Sequence, residues 1–387
     1  MPIINRISDY YNDMKEWRQH IHANPELEFE CYKTSAFVIS KLKEFGVDEI
    51  HDGIAKTGLV AIINGKKTGN TIGLRADMDA LPLSETLNHK YKSKKEGIMH
   101  ACGHDGHTTM LLGAARYLSE TRNFSGRVAL IFQPAEEKGG GAEVMCKEGI
   151  MEKFLIDQVY GIHNVPGMAL GRFETNKSTV FAAADDFNIT VEGNGGHAAY
   201  PQDTIDPAIV AVQIAQSIQT IVTRNLSSLE PTVISITQIH TGTTYNIIPD
   251  KSFINGTVRT LSKKTQKRVV KRMKEICKGH SLAFNCNVKL DYNYGYPPTI
   301  NHPNETDFAV KVAKEITGSK NVNSDAIPDM GAEDFSFMLN ERPGSFLNVG
   351  QGDGPPVHNT KYDFNDDLSP IGASFFVKLV ERAQPLD

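Results

Sequence analysis

The order in which strands and helices are predicted to follow one another constrains this sequence more than any other feature. Up to about residue 180, short apolar segments typical of strands alternate with segments typical of helices. Residues 128–132 form the continuous apolar run expected in a sheet covered on both faces. Between residues 186 and 292 the order becomes strand, helix, strand, strand, helix, strand, which is the ferredoxin-like split unit. After residue 298 the first pattern returns. The sequence therefore predicts a small α+β domain inserted into a larger α/β domain with a mainly parallel central sheet.

The predicted domain boundaries follow from this change of pattern. Residues 1–180 and 294–387 are expected to form the larger, discontinuous domain, and residues 181–293 the inserted domain. A length of 387 residues suits two or possibly three domains at roughly 100–200 residues each. Within the insertion, the predicted strands and helices lie at residues 186–191, 207–223, 232–239, 254–258, 265–278 and 287–292.

Composition excludes several classes of partner. The chain has 41 Lys and Arg against 46 Asp and Glu, so its net charge of −5 gives no overall attraction to nucleic acid or anionic lipid. The basic segment 263–274 carries an apolar stripe at helical spacing and no interleaved aromatic residues, which favours a solvated helix face over a nucleic-acid site. No apolar run approaches the ~18–20 residues that span a membrane. Five cysteines in a chain of this length suit a reducing compartment, so we expect a cytoplasmic protein.

Carboxylates, imidazoles and a thiol cluster where the predicted strands of the larger domain end. Asp77 and Asp79 follow one strand, His163 follows another, and the Glu pair at 136–137 follows a third. The segment 100–107, His-Ala-Cys-Gly-His-Asp-Gly-His, leads into a helix. Ligands of an open α/β sheet bind outside the carboxyl ends of its strands, and these side chains are the types that bind transition metals. Each residue alone has a structural explanation, such as a helix cap or core packing. Their shared position predicts a metal site.

Other chemistries fit the sequence less well. It contains neither the Gly-x-Ser-x-Gly elbow of serine hydrolases nor the phosphate-binding Gly-x-x-x-x-Gly-Lys-Ser/Thr loop. Residues 193–198 match a relaxed dinucleotide-binding pattern, but Pro201 interrupts the helix that should begin there. No acidic residue stands at 213–218, where a ribose-binding carboxylate would be expected. A Rossmann-type site is therefore disfavoured.

Seven motifs, in order along nearly the whole chain, resemble those of a known family. They lie at residues 75–82, 100–107, 133–137, 161–164, 195–198, 246–250 and 331–335. Together they are similar to the aminoacylase and carboxypeptidase-G-like dinuclear metallohydrolases. The branch they resemble most contains hippurate hydrolases, N-acyl-amino-acid amidohydrolases and plant auxin-conjugate hydrolases.

The resemblance implies a zinc-peptidase-type catalytic domain with an inserted dimerisation, or lid, domain. It also implies a role for each of ten residues. The metal ligands would be Cys102, His104, Glu137, His163 and His358, and Glu136 would be the general base. Asp79 would orient a metal ligand without binding the metal itself. His197 would donate to the developing oxyanion, and Asn246 and Arg259 would hold the substrate. Only the family pattern identifies His358, which lies far along the chain from the other predicted ligands.

The implied reaction is hydrolysis of the amide bond of an N-acyl-L-amino acid, such as hippurate or an N-acetyl substrate. A metal-bound water would attack the amide, with Glu136 taking its proton. Arg259 would bind the free α-carboxylate, a task suited to a bidentate guanidinium. In relatives the histidine equivalent to His197 usually comes from the partner subunit. The resemblance therefore implies a homodimer formed through the inserted domain.

The sequence departs from the wider family at the metal site. Asp77 stands where many members have a metal-binding histidine, and His104 stands where they have a bridging aspartate. Cys102 would supply the missing ligand, a change that the branch shares. The resemblance implies a divalent metal, with two ions per subunit, and Zn, Mn, Co and Ni remain open. A thiolate suits Zn²⁺, Co²⁺ or Ni²⁺ better than Mg²⁺.

Two alternatives remain open at this point. A dipeptidase or an N-acetyl-diaminopimelate deacetylase on the same scaffold would differ only in the shape of the substrate pocket. A catalytically silent ligand-binding relative would be non-enzymatic, but it would have no need of the base Glu136.

Overall fold

The computed structural model describes residues 3–386 of the chain. Its strands, numbered in chain order, are β1 Glu49–Ile54, β2 Gly58–Asn64, β3 Lys67–Asp77, β4 Ser125–Gln133, β5 Gln158–Pro166, β6 Phe173–Glu174, β7 Thr179–Phe181, β8 Ala183–Glu192, β9 Gly196–His197, β10 Thr232–Thr241, β11 Ile247–Ile248, β12 Lys251–Thr260, β13 Asn287–Tyr296, β14 Thr299–Ile300, β15 Val322–Asn323 and β16 Gly344–Gly352.

The helices lie before, between and after these strands along the chain. They are α1 Asn5–Asp9, α2 Tyr11–Ala23, α3 Tyr32–Phe45, α4 His104–Thr121, α5 Gly141–Lys147, α6 Ile150–Lys153, α7 Pro207–Thr220, α8 Lys263–Phe284, α9 Pro303–Thr317, α10 Phe335–Glu341 and α11 Ser369–Ala383. Gly46 ends α3 in the left-handed conformation, with φ of 71°, as a glycine after a helix commonly does. None of the helices within residues 3–386 is long and apolar enough to cross a membrane.

The chain divides into two compact units. The larger unit contains the residues up to 180, residues 300–327 and those from 334 onwards. The smaller unit contains residues 181–299 and residues 328–333. The smaller unit includes the whole of β13, which continues to Tyr296. The smaller unit also contains the short segment 328–333, which the sequence pattern does not assign to it.

The larger unit is built on an eight-stranded sheet. Its strand order is β1-β2-β4-β3-β5-β16-β6-β15, and the central strands β4, β3, β5 and β16 are parallel to their neighbours in that group. Strands β2 and β4 are buried along nearly their whole length, as a sheet covered on both faces requires. Helix α4 packs against α2, α3 and α11. The predicted α/β class with a mainly parallel central sheet is confirmed.

The smaller unit has the predicted βαββαβ order, formed by β8, α7, β10, β12, α8 and β13. These strands make an antiparallel sheet in the order β10-β12-β8-β13. Apolar side chains from the two helices and the sheet form its own core, including Ile214, Ile254 and Met273. Helix α8 is longer than predicted, and its basic residues 263, 264, 267, 268, 271 and 274 are all exposed, which agrees with a solvated face.

Candidate metal centre

The polar residues singled out in the sequence come together at the carboxyl ends of the parallel strands of the larger unit. Asp77 is the last residue of β3, His163 lies in β5, and His104 is the first residue of α4. The Glu pair 136–137 follows directly after β4. Because parallel strands end at one edge of the sheet, side chains that are distant in sequence become neighbours there.

The five predicted metal ligands form overlapping groups around this edge. Cys102 Sγ lies 3.4 Å from His163 Nε2, and Glu137 Oε1 lies 3.3 Å from His358 Nε2 and 4.0 Å from His104 Nε2. Several sets of side chains have ligand atoms within 4.8 Å of one another and could each hold an ion. Three of these sets contain only predicted ligands and the predicted base: Cys102 with His104 and His163, Cys102 with Glu137 and His358, and His104 with Glu136 and Glu137.

The ring nitrogens of His104 and His163 are arranged as metal ligands require. His104 Nδ1 donates to the main-chain oxygen of Asp79 at 2.8 Å, and His163 Nδ1 donates to the main-chain oxygen of Asn164 at 2.7 Å. Each Nε2 is therefore left with a lone pair that faces the centre. His104 Nε2 is buried and has no hydrogen-bond partner among residues 3–386. The thiol, imidazole and carboxylate groups that lie around His104 Nε2 are suitable ligands for a divalent transition metal.

The electrostatics of the pocket also favour a bound cation. Burial raises the pKa of the Cys102 thiol well above its usual range, so a thiolate is stable there only if a positive charge offsets the cost. Burial lowers the pKa of His163 to about 3, which keeps its imidazole neutral. Burial alone would lower the pKa of His104 as well, but the charge of Asp77 raises it. The pocket therefore stabilises positive charge beside His104, whether as a proton or as a metal.

Asp79 makes more contacts than the sequence predicts. Its main-chain oxygen fixes His104, as described above. Its buried carboxylate accepts the backbone N–H of Glu136 at 3.0 Å and that of Glu137 at 3.1 Å. One residue thus positions a predicted ligand and the backbone of both glutamates.

His358 lies on the loop that follows β16, and its backbone explains how a distant residue reaches the site. Its N–H donates to the main-chain oxygen of Ala101 at 2.7 Å, beside Cys102. Its φ of 61° is unusual for a residue other than glycine. The ring is about half exposed, and its hydrogen bond with Glu137 raises the pKa of His358. No local pattern in the sequence marks this arrangement.

The structure also reveals a supporting residue whose role the sequence does not indicate. The His107 ring bonds to two side chains. Its Nδ1 lies 2.6 Å from Asp77 Oδ1, and its Nε2 lies 2.7 Å from Asn164 Oδ1. Its ring centroid lies 4.6 Å from that of His163. His107 lies three residues after His104 on α4, and this i, i+3 spacing was the available signal that both face the same side.

The remaining predicted residues lie on the smaller unit. His197 in β9 pairs with Ile247 in β11, and the N–H of Ala198 donates to the main-chain oxygen of Asn246 at 3.0 Å, which brings His197 and Asn246 together. The exposed His197 ring accepts the N–H of Ala199 at Nδ1, at 3.1 Å, so Nε2 carries the proton. Arg259 is on β12, partly buried, and bonds to the main-chain oxygen of the preceding residue at 3.2 Å.

Comparison with known proteins places the chain in a family. Residues 73–382 match the sequence model of peptidase family M20/M25/M40. The chain belongs to this family. A hippurate hydrolase of Campylobacter jejuni is 42% identical over 379 residues, which cover 98% of both chains. An N-acetyl-L-cysteine deacetylase of Bacillus subtilis is 39% identical over 370 residues, 95% of this chain and 87% of that one. A crystal structure of a dinuclear metal-binding M20 peptidase from Bacillus subtilis superimposes with a TM-score of 0.87 at 29% identity, covering 97% and 98% of the two chains.

The family match and the groups of potential metal ligands indicate the same chemistry. The protein is a hydrolase of amide bonds that depends on a divalent metal and acts on a small-molecule substrate. The resemblance inferred from the seven motifs is confirmed.

The role of the thiol can be tested by replacing Cys102 with serine. We expect Cys102→Ser to retain divalent metal at least ~10-fold more weakly, because a serine hydroxyl is not deprotonated as a metal-bound thiol is. Metal per chain is measured after equilibration against a graded series of chelator concentrations. Cys277→Ser, in the core of the smaller unit, is the matched control and should retain metal like the wild type. Equal retention by both variants would remove Cys102 from the ligand set.

Proposed function

We propose that this enzyme hydrolyses the amide bond of N-acyl-L-amino acids, with hippurate-like and N-acetyl compounds as its substrate class. The observation that carries the proposal is the placement of Glu136, a buried carboxylate with an oxygen within 4.8 Å of ligand atoms of His104 and Glu137. The names of the relatives support the same class, since they act on hippurate and on N-acetyl-L-cysteine. A cytoplasmic location stays a prediction.

We assign the metal to the five predicted ligands, with two ions per subunit and zinc, manganese, cobalt or nickel as the candidate metals. Cys102, His104, Glu137, His163 and His358 supply sulfur, nitrogen and oxygen donors, a mixture that suits these metals better than magnesium. When bound, such ions polarise a carbonyl and lower the pKa of a coordinated water towards ~7.

Glu136 then acts as the proton carrier. Glu137 takes part in the ligand groups through Oε1, while the carboxylate of Glu136 takes the proton of the attacking water and passes it to the leaving amine. Both residues are fixed through their backbone N–H groups by Asp79, so the two side chains keep separate tasks. Asp79 orients His104 at the same time.

The smaller unit supplies the remaining groups in this proposal. His197 carries its proton on Nε2 and can donate it, as a hydrogen bond, to the oxyanion that develops at the carbonyl. Asn246 lies beside it and holds the substrate, and Arg259 binds the free α-carboxylate.

We further propose that the protein is a homodimer formed through the smaller unit, with His197 acting on the partner subunit. Among the strands that the structure describes, β10 pairs with β12 alone and so leaves one edge open. That edge carries the exposed apolar side chains of Val233 and Ile239. An open, partly apolar edge of this length is a natural place for a second copy to pair.

A dipeptidase or an N-acetyl-diaminopimelate deacetylase remains an alternative on this scaffold. A dipeptidase must bind a free amino group where an amidohydrolase binds an acyl group, so hydrolysis of dipeptides and of their N-acylated forms separates the two. The silent ligand-binding alternative gains no support, since Glu136 stands beside the predicted ligands and the chain belongs to a peptidase family.

The test of the general base is Glu136→Gln. We expect kcat for hippurate to fall at least ~10²-fold, because glutamine cannot accept the proton, while the metal content stays unchanged. Glu143→Gln, which alters an exposed carboxylate on α5, is the control and should keep full activity. Turnover and metal content are measured on the same preparations. A Glu136→Gln enzyme with wild-type kcat would rule out this role.

Arg259→Met tests the nature of the substrate. Loss of a charged hydrogen-bond partner should lower kcat/KM for hippurate by roughly 10–100-fold, but should affect the uncharged amide of hippurate far less. Arg268→Met is the matched control. It removes a positive charge from the exposed face of α8 and should leave kcat/KM unchanged. The measurement is kcat/KM on both compounds for all three proteins. Equal losses on the acid and the amide would count against recognition of the α-carboxylate by Arg259.

Action across a dimer is tested by mixing two inactive proteins. Glu136→Gln lacks the base and His197→Ala lacks the oxyanion donor, so a mixed dimer contains one site with both groups intact. We expect activity to reappear on mixing, up to about a quarter of wild type when subunits exchange at random into equal numbers. Subunit exchange is verified with differently tagged copies. Confirmed exchange without any recovery would show that His197 acts within its own chain or not at all.

A further inference from the structure

The residue directly before Glu136 has an unusual backbone. Ala135 is fully buried and has a φ of 58°, in the left-handed region that residues other than glycine rarely occupy. Such a conformation persists only when the surrounding structure determines it from several sides. In this position it sets the direction in which the chain leaves β4 and enters the loop that carries Glu136 and Glu137.

A single buried carboxylate joins the two ends of that loop. Asp334 accepts hydrogen bonds from the Gln133 side-chain amide, at 2.8 and 2.9 Å, and from the backbone N–H of Ala142, at 2.9 Å. Gln133 is the last residue of β4, and Ala142 lies in the first turn of α5. The same carboxylate is held by Arg75 Nη2 at 2.9 Å and is fully shielded from solvent.

We propose that Asp334 is a positioning residue for Glu136. Its hydrogen bonds to the Gln133 side chain and the Ala142 backbone, called the clasp below, keep Ala135 in its left-handed conformation and the Glu136–Glu137 backbone against Asp79. This proposal rests on the proposed role of Glu136 as base. Without the clasp, the loop can relax towards an ordinary negative φ at Ala135. The Glu136 carboxylate would then occupy its working position in only a fraction of the molecules.

Two buried carboxylates anchor the loop. Asp79 holds the middle of the loop through two N–H groups, and Asp334 holds its two flanks. Within the loop, the N–H of Gly141 donates to the oxygen of Ala135 at 3.0 Å. If one carboxylate is lost, the other has to keep the strained alanine in place alone. Glycine adopts φ near 58° without cost, so glycine at 135 should reduce the need for the clasp.

The test is a double-mutant cycle on the metal-loaded enzyme. Asp334→Asn preserves the shape of the side chain but cannot accept at both oxygens. We expect kcat for hippurate to fall about 10–100-fold with KM little changed, since a displacement of about 1 Å can cost that much. Adding Ala135→Gly to Asp334→Asn should restore kcat by at least about five-fold, the size expected from the strain that is relieved. Ala55→Gly is the matched control, because Ala55 is also buried with a positive φ, of 45°, in the turn between β1 and β2.

A second readout does not depend on activity. Amide hydrogen exchange of the peptide covering residues 134–142 should become faster in Asp334→Asn and slow again when Ala135→Gly is added. Far-UV circular dichroism and metal content verify each protein, and Gln133→Met breaks the same clasp if Asp334→Asn does not fold. If Glu136→Gln proves as active as wild type, the proposed function fails, while the exchange measurement still decides whether Asp334 holds the loop. Unchanged exchange and kcat in Asp334→Asn, no rescue by Ala135→Gly, or equal rescue by Ala55→Gly would each overturn the proposal.

Discussion

The three hydrogen bonds accepted by Asp79 are the interaction on which the rest of the site depends. Its main-chain oxygen fixes the ring of His104, and its carboxylate receives the consecutive N–H groups of Glu136 and Glu137. These bonds join the segment after β3 to the start of α4 and to the loop after β4. A buried carboxylate is costly unless its lone pairs are satisfied, and here the backbone itself satisfies them. Moving any one of the three segments would break at least one of these bonds.

A second group of buried charges lies next to Asp79 and ties the strands together. Arg75 donates to Asp77 at 2.8 Å, to Gln133 at 2.8 Å and to Asp334 at 2.9 Å, and all four side chains are almost completely buried. Although burial alone would raise the pKa of Asp77, the charges of His104, His107 and Arg75 hold it well below its usual range. A fully covered sheet with apolar strands provides the rigid frame that such a network needs, since each buried charge requires its partner within hydrogen-bonding distance.

The sequence could predict the parts of the structure that depend on periodicity and on chain order. The βαββαβ block follows from alternating strand and helix patterns, and the metal centre follows from polar residues at the ends of parallel strands. The sequence could not predict contacts that depend on backbone angles or on residues far apart along the chain. Nothing in the sequence indicates that Ala135 has a positive φ, because alanine shows no preference for that region, and Asp334 meets Gln133 only in the folded chain. Only the family resemblance identifies His358, since it enters the site on a loop.

Adjacent glutamates with different tasks pose a geometric problem that this fold solves through the backbone. In a continued strand, neighbouring side chains would point to opposite faces of the sheet, so only one of the two could face the centre. The left-handed turn at Ala135 ends β4 and presents both N–H groups to the same carboxylate of Asp79. Both side chains can then approach the ligand groups while remaining distinct, as the set of His104, Glu136 and Glu137 shows. The placement of the proposed base thus depends on two aspartates, Asp79 and Asp334, that act through the main chain and through Gln133.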